Sequence, residues 1–131
     1  MYSKKIVGNK GEEIAEKYLK KKGYKILGKN IKQRFDEIDI IAKEKTGIIV
    51  FAEVKTVKCL PANIEHQITP EENITKAKLK KLKRGAMSWV GENEKKVSEA
   101  GWRIDLVAIC YEDLTKIEKN CNIEHYENIV A

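Results

Sequence analysis

Apolar residues recur at helical spacing in two segments of the chain, residues 11–22 and 75–90. The first segment has these positions three and four apart: Ile14, Ala15, Tyr18 and Leu19. The second has a similar stripe: Leu79, Leu82, Ala86 and Trp89. Because this period matches one face of a helix, and Gly23 follows the first segment as a stop signal, we predict two amphipathic helices.

Shorter runs rich in isoleucine and valine predict the strands. They cover residues 24–27, 37–42, 48–57 and 102–110, and the tail 117–126 adds an edge strand. The polar turn 43–47 indicates an antiparallel hairpin, and both prolines fall in 58–73, which we interpret as a mobile loop. The order helix, strands, helix, strands predicts a single α/β domain over 1–131, with a mixed sheet flanked by helices.

Composition supports one soluble domain. The chain has 131 residues, 42% of them hydrophobic, which is enough for one core. It has no apolar run long enough to cross a membrane and no secretory leader, so we expect a cytoplasmic protein without a membrane partner. Three cysteines form no C-x-x-C pair and are expected to be buried free thiols: Cys59, Cys110 and Cys121.

Charge is distributed unevenly along the chain. Residues 1–66 contain 15 basic and 9 acidic groups, whereas residues 67–131 contain 11 of each. Clustered positive charge indicates a polyanion partner, although a solvated lysine surface explains the composition equally well. The residues that we expect to contact a nucleic-acid backbone are Arg34, Lys76, Lys78 and Lys80.

Charged residues interrupt two otherwise apolar strands. Asp39 lies within E-I-D-I-I-A, and Glu53 and Lys55 lie two apart in I-I-V-F-A-E-V-K-T-V, on one face of the strand. Buried charges are costly unless they are paired or bind a metal. If the hairpin forms, Asp39 and Glu53 converge, and such oxygen ligands favour Mg²⁺ or Mn²⁺. The alternative is a plain ion pair of Glu53 with Lys55 on a solvent-facing strand.

A site of this kind supports phosphodiester hydrolysis. A divalent cation polarises the phosphate and lowers the pKa of its bound water. Lys55 would orient the attacking water or stabilise the developing charge.

Several longer motifs together resemble one family. They are G-N-K-G-E-E-I-A (8–15), Y-L-K-K-K-G-Y-K-I-L-G-K-N (18–30), E-I-D-I-I-A (37–42), I-V-F-A-E-V-K-T (49–56), I-T-K-A-K-L-K-K-L (74–82), R-I-D-L-V-A-I (103–109) and I-E-H-Y-E-N (123–128). The chain resembles the YraN-like family of small bacterial predicted endonucleases over almost its whole length. One departure is Asp36, where the family usually has glycine.

The resemblance implies the restriction-endonuclease-like PD-(D/E)XK fold, similar to archaeal Holliday-junction resolvases. Asp39 would be the motif aspartate, Glu53 and Lys55 the (D/E)-x-K pair, and Glu12 an additional acidic ligand from the first helix. By position alone, Glu12 is equally explained as a first-turn carboxylate that complements the helix dipole. Related resolvases dimerise, so a homodimer is compatible with the resemblance, but no sequence feature identifies an interface.

The leading hypothesis is therefore a Mg²⁺-dependent endonuclease that acts on DNA, including branched or repair intermediates. A non-catalytic nucleic-acid-binding module and a protein scaffold are the alternatives. Of the other polar residues, we expect Glu37 to be a strand-end surface group, Asp105 to pair with a basic side chain such as Arg103, and His125 to be packed rather than a metal ligand.

Overall fold

The computed structural model describes residues 3–34, 36–59 and 74–130. Its elements are helix α1 (Lys4–Lys21), strands β1 (Lys25–Lys32), β2 (Glu37–Lys43) and β3 (Ile49–Lys58), helix α2 (Lys76–Glu92), and strands β4 (Trp102–Tyr111) and β5 (Cys121–Tyr126). Two short 3₁₀ turns lie at Glu94–Lys96 and Leu114–Lys116. No helix among the described residues has the length and apolar character that spanning a bilayer requires.

The five strands form one mixed sheet in the order β1-β2-β3-β4-β5. Neighbouring strands are antiparallel except β3 and β4, which run parallel with Ala52 opposite Asp105. A parallel pair needs a long crossover, and α2 lies within this one. The predicted α/β class, the 43–47 hairpin turn and the edge position of the last strand are confirmed.

The two helices cover opposite faces of the sheet. On β3, Val50 and Ala52 pack in a cluster with α1, whereas Ile49 and Phe51 pack in a second cluster with α2. This alternation is the period of two expected for a strand that is buried on both sides. By the same alternation, Glu53 and Lys55 lie on the face of β3 that carries Ile49 and Phe51 and that α2 covers.

Helix α1 begins earlier than its apolar stripe predicts. Ser3 caps it, with the hydroxyl accepting a hydrogen bond from the Ile6 N–H at 3.2 Å, and Lys4 is its first residue. Glu12 is therefore two turns inside the helix, and the first turn contains no acidic residue. The interpretation of Glu12 as a helix-dipole carboxylate is wrong, because the dipole effect fades within the first turn.

Two of the cysteines are not free thiols. Cys59 directly follows β3 and Cys110 lies on β4, with their Cα atoms 5.7 Å apart, and the structure joins them in a disulfide. Cys121 is free, and burial raises the pKa of its thiol. The predicted loop 58–73 begins too early, since β3 continues to Lys58, and its residues 60–73 lie outside the described part of the chain.

Candidate functional site

Asp39 lies where β2 and β3 separate. Their ladder ends at the Ile40–Ala52 pair, and beyond it β3 is paired with β4 alone. Beyond the end of the ladder, the side chain of Asp39 replaces the backbone of β2 as the hydrogen-bond acceptor, because its Oδ2 accepts from the Val54 N–H at 2.8 Å. This bond holds the carboxylate beside the centre of β3.

Glu53 meets Asp39 at this point, as the hairpin predicts. Burial, a hydrogen bond with Asp39 and the charge of Asp39 together raise the pKa of Glu53 to about 8, against the opposing effect of Lys78. A bond that raises the pKa of an acid favours its neutral form, so Glu53 donates to Asp39. At neutral pH the two carboxyl groups therefore share a proton instead of carrying two negative charges.

Two lysines lie on the same side of the sheet as Glu53. Lys78, in the first turn of α2, has its Nζ 3.2 Å from Glu53 Oε2. Lys55 is two residues beyond Glu53 on β3 and is exposed. The alternative of a Glu53–Lys55 ion pair is not what the described residues show, since the cation bonded to Glu53 comes from α2.

Glu12 approaches the carboxylates from the opposite layer. Its pKa is raised first by burial and then by the negative charge of Asp39, while a hydrogen bond from Asn30 lowers it. Gly11 makes this approach close, since a Cβ at that position would overlap the Thr56 hydroxyl on β3 and lie 2.9 Å from Thr56 Cβ. The glycine before Glu12 thus lets α1 sit directly on β3.

Asn30 is a residue of this site that the sequence analysis missed. Its backbone has φ of 50°, which asparagine tolerates better than most residues, and it lies within β1 near a register shift. An asparagine in a predicted strand is a weak signal of this conformation, and its contact with Glu12 depends on how α1 packs.

The donor set suits a hard divalent cation. Among the described residues, no three side chains of the histidine, cysteine, aspartate or glutamate types converge closely enough to enclose a metal ion. Mg²⁺ does not need such a cage, because it retains several waters and binds through one or two carboxylates together with substrate phosphates. Asp39 and Glu53 provide that pair, with Glu12 as a nearby third carboxylate, so these residues fit the ion.

Comparison with known proteins places the chain in a family. The profile of the uncharacterised protein family UPF0102 matches residues 11–109, which include Glu12, Asp39, Glu53 and Lys55. The chain belongs to UPF0102. A UPF0102 protein of Trichlorobacter lovleyi is 35% identical over 93% of this chain and 87% of its own length. A UPF0102 protein of Fervidobacterium nodosum is 40% identical over 90% of this chain and 77% of its own length.

Another UPF0102 protein, from Carboxydothermus hydrogenoformans, is 32% identical over 98% of both chains. The family expected from the motifs is thereby confirmed at the level of UPF0102. The family is uncharacterised, so its name assigns no chemistry, and the function of this member is inferred from its own residues.

The other predicted nucleic-acid contacts of this UPF0102 chain lie on α2 and beside it. Lys76 and Lys80 are exposed in its first turns. Arg34 lines a cleft of about 140 Å³ together with Asp36 and Arg84, which form a salt bridge at 3.2 Å. Asp36, the departure from the family pattern, thus ties the β1–β2 turn to α2.

A second basic surface was not predicted. A groove of about 400 Å³ is lined by Leu27 and four lysines, namely Lys25, Lys43, Lys95 and Lys96. Lys25 and Lys43 are cross-strand partners, an arrangement of like charges that does not stabilise a sheet. These lysines come from three elements, so only the folded chain brings them together.

Asp105 belongs to a separate structural network. It is fully buried, and it accepts hydrogen bonds from Arg103 Nε at 2.9 Å and from the Asn128 N–H at 2.9 Å. His125 Nε2 lies 2.8 Å from its other oxygen. Burial alone would raise the pKa of Asp105, but the hydrogen bonds from His125 and Arg103 outweigh it and lower the pKa. The predictions that Asp105 pairs with Arg103 and that His125 is packed are confirmed.

Proposed function

We propose that this UPF0102 protein is a metal-dependent endonuclease that hydrolyses phosphodiester bonds of DNA. The observation that carries the proposal is the meeting of Asp39 and Glu53 at the separation of β2 and β3. A protein that needed only a stable sheet would gain nothing from burying two carboxylates side by side, since each loses solvation and they repel. Together with Glu12, they would hold Mg²⁺ or Mn²⁺.

The proposed chemistry assigns a task to each residue. Asp39 and Glu53 would hold the cation, and the hydrogen bond from the Val54 N–H keeps the Asp39 carboxylate in place beside Glu53. A bound divalent cation would polarise the scissile phosphate and acidify a coordinated water. Lys55 faces the same side as Glu53 and is exposed, so its ammonium is available to orient the water or to stabilise charge on the phosphate.

The surroundings of the site suit a polyanion. The acidic centre is small, whereas Arg34, Lys76, Lys78 and Lys80 bring positive charge from the β1–β2 turn and from the start of α2. Lysine and arginine contacts to phosphates position a nucleic acid without reading its bases. This arrangement supports a backbone-binding enzyme that recognises the shape of its substrate, including branched or repair intermediates.

The test is cleavage of labelled branched, flapped, single-stranded and double-stranded DNA, and of RNA, with Mg²⁺ or Mn²⁺. We expect cleavage of DNA that EDTA abolishes and that is lost in Asp39→Asn and Glu53→Gln. Both variants keep the size and shape of the side chain and replace one carboxyl oxygen with an amide nitrogen, so circular dichroism should show folded protein. Glu99→Gln, which changes an exposed carboxylate outside the site, is the matched control and should cleave normally.

Three outcomes would contradict the proposal. Cleavage that persists in Asp39→Asn and Glu53→Gln would identify a contaminating nuclease. Salt-dependent nucleic-acid binding without cleavage and without calorimetric Mg²⁺ binding would instead favour the non-catalytic binding module. Absence of nucleic-acid binding even at low salt would favour the scaffold.

A further inference from the structure

Lys78 joins α2 to the paired carboxylates through a salt bridge with Glu53. Its Nζ is 3.2 Å from Glu53 Oε2, and its side chain is 47% exposed, whereas the Glu53 side chain is 11% exposed. The backbone of Lys78 is held in place, because its N–H donates to the Thr75 cap at 3.1 Å. The lysine therefore has a fixed base, a flexible stem and a charged end at the mouth of the site.

The position of this lysine is unfavourable for the helix itself. Lys76 and Lys78 are the charged residues of the first turn of α2, which contains no acidic residue. Positive charge at a helix N-terminus opposes the helix dipole. Helix stability alone does not explain a lysine here, whereas a contact with an anionic group does. The proton-sharing pair of Glu53 and Asp39 is that group, and Lys78 contacts it through Glu53.

A divalent cation bound to Glu53 would deprive Lys78 of its salt-bridge partner. The ammonium of Lys78 and a divalent cation both require the oxygens of Glu53, and the two positive charges repel each other at contact distance. Once the carboxylates are neutralised, the ammonium needs another anion within reach of its stem. A phosphate of the nucleic acid lying over the site meets this need, since lysine binds phosphate as a mobile point charge.

We infer that Lys78 is a substrate-binding residue that pairs with Glu53 when the site is free of metal and with a backbone phosphate when the site holds a cation. The inference rests on the proposed function. It links two ligands through one side chain. The cation releases Lys78 for the substrate, and by reciprocity the substrate tightens cation binding by the same factor.

The first test is Mg²⁺ titration by calorimetry at pH 9, where proton competition at Glu53 is smallest. Lys78→Gln should bind Mg²⁺ about three to five times more tightly than the wild type, the range expected for loss of a partly exposed competing ion pair. Lys78→Arg keeps the charge and should restore the weaker binding. Lys83→Gln is the matched control, because Lys83 is an exposed lysine of the same helix that lies about 140° around its axis from Lys78, and it should leave Mg²⁺ affinity unchanged.

The second test measures binding of a fluorescein-labelled forked DNA by anisotropy, with EDTA or with Ca²⁺ as a cation that limits turnover. In EDTA, Lys78→Gln should bind like the wild type, since Lys78 is then held by Glu53. With Ca²⁺, it should bind at least threefold more weakly than the wild type, and its slope of log affinity against log salt should be smaller by about one, the value for one phosphate contact. Lys78→Arg should bind as the wild type does.

The outcomes separate this inference from the proposed function. A wild-type protein that binds no Mg²⁺ contradicts the metal site and the inference with it. A wild type that binds Mg²⁺, together with a Lys78→Gln variant of unchanged Mg²⁺ affinity, overturns the inference alone. Equal loss of DNA binding in EDTA and in Ca²⁺ also overturns it, because Lys78 would then be a simple surface contact.

Discussion

The pKa of Glu53 predicts that the metal-free protein loses stability as the pH rises. Burial, followed by the hydrogen bond and charge of Asp39, raises this pKa from 4.5 to about 8. In this pH range the folded protein retains a proton that the unfolded chain has released. The stabilisation is therefore fully present below about pH 4.5 and is lost as the pH rises through about 8.

The expected magnitude follows from the two pKa values. Each factor of ten in proton affinity corresponds to about 1.4 kcal/mol, so the complete change is about 5 kcal/mol. Between pH 5 and pH 9 the part that is realised is about 4 kcal/mol. This is large beside the total stability of a typical domain, about 5–15 kcal/mol, so it should be easily measured.

The assay is urea denaturation in EDTA at several pH values, for the wild type and for Glu53→Gln, which keeps an uncharged donor to Asp39. The free energy of unfolding of the wild type minus that of the variant should fall by about 4 kcal/mol from pH 5 to pH 9. The same difference for the exposed Glu99→Gln control should stay flat. A Glu53 difference that is also flat, or that rises with pH, would refute the buried, proton-sharing pair.

Three other predictions test the site and the fold. If Mg²⁺ displaces the proton of Glu53, Mg²⁺ binding at pH 7 should release about 0.9 proton, and the Mg²⁺ affinity should rise nearly tenfold from pH 6 to pH 7. Calorimetry in buffers of different ionisation enthalpy measures the proton release, and equal heats in all buffers would argue against proton displacement. Gly11→Ala should lower the free energy of unfolding by about 3 kcal/mol, because the added methyl group would overlap β3. The control is Gly8→Ala on the same helix, whose methyl group would meet nothing within 4 Å and which should raise the free energy of unfolding by up to about 1 kcal/mol. Similar melting temperatures for the two variants would contradict the close helix–strand contact. Asp105→Asn should destabilise by about 3 kcal/mol in chemical denaturation, since it replaces a buried carboxylate that accepts hydrogen bonds from Arg103, His125 and the Asn128 N–H with an amide that cannot accept all of them. A loss below about 1 kcal/mol would show that the network contributes little.

The pattern of local residues was sufficient for most of the fold. Strands β2, β3 and β4 follow continuous apolar runs, and their observed bounds differ from the predicted ones by a residue. The start of α1 was missed because residues 4–10 carry no apolar stripe, so periodicity could not include them. Strand β1 continues to Lys32, beyond its apolar start, because it pairs with β2 along its whole length.

Some residues of the candidate site could be recognised from the local sequence, and others could not. Asp39, Glu53 and Lys55 were recognisable because charge in an apolar strand is a local anomaly, and a hairpin brings neighbouring strands together by its short turn. Glu12 entered by family resemblance alone. The structure supplies the physical reason for its position, which is the absence of a side chain at Gly11 beneath the helix.

The sequence by itself determined the α/β class, the hairpin and the two carboxylates that meet on it, since these depend on burial patterns and turns a few residues long. Only the tertiary structure decided that Lys78 reaches Glu53, that Asn30 holds Glu12, that Cys59 joins Cys110 and that four lysines share one groove. Those contacts join segments far apart in the chain. They depend on the parallel β3–β4 register and on how each helix packs across the sheet, which no local pattern specifies.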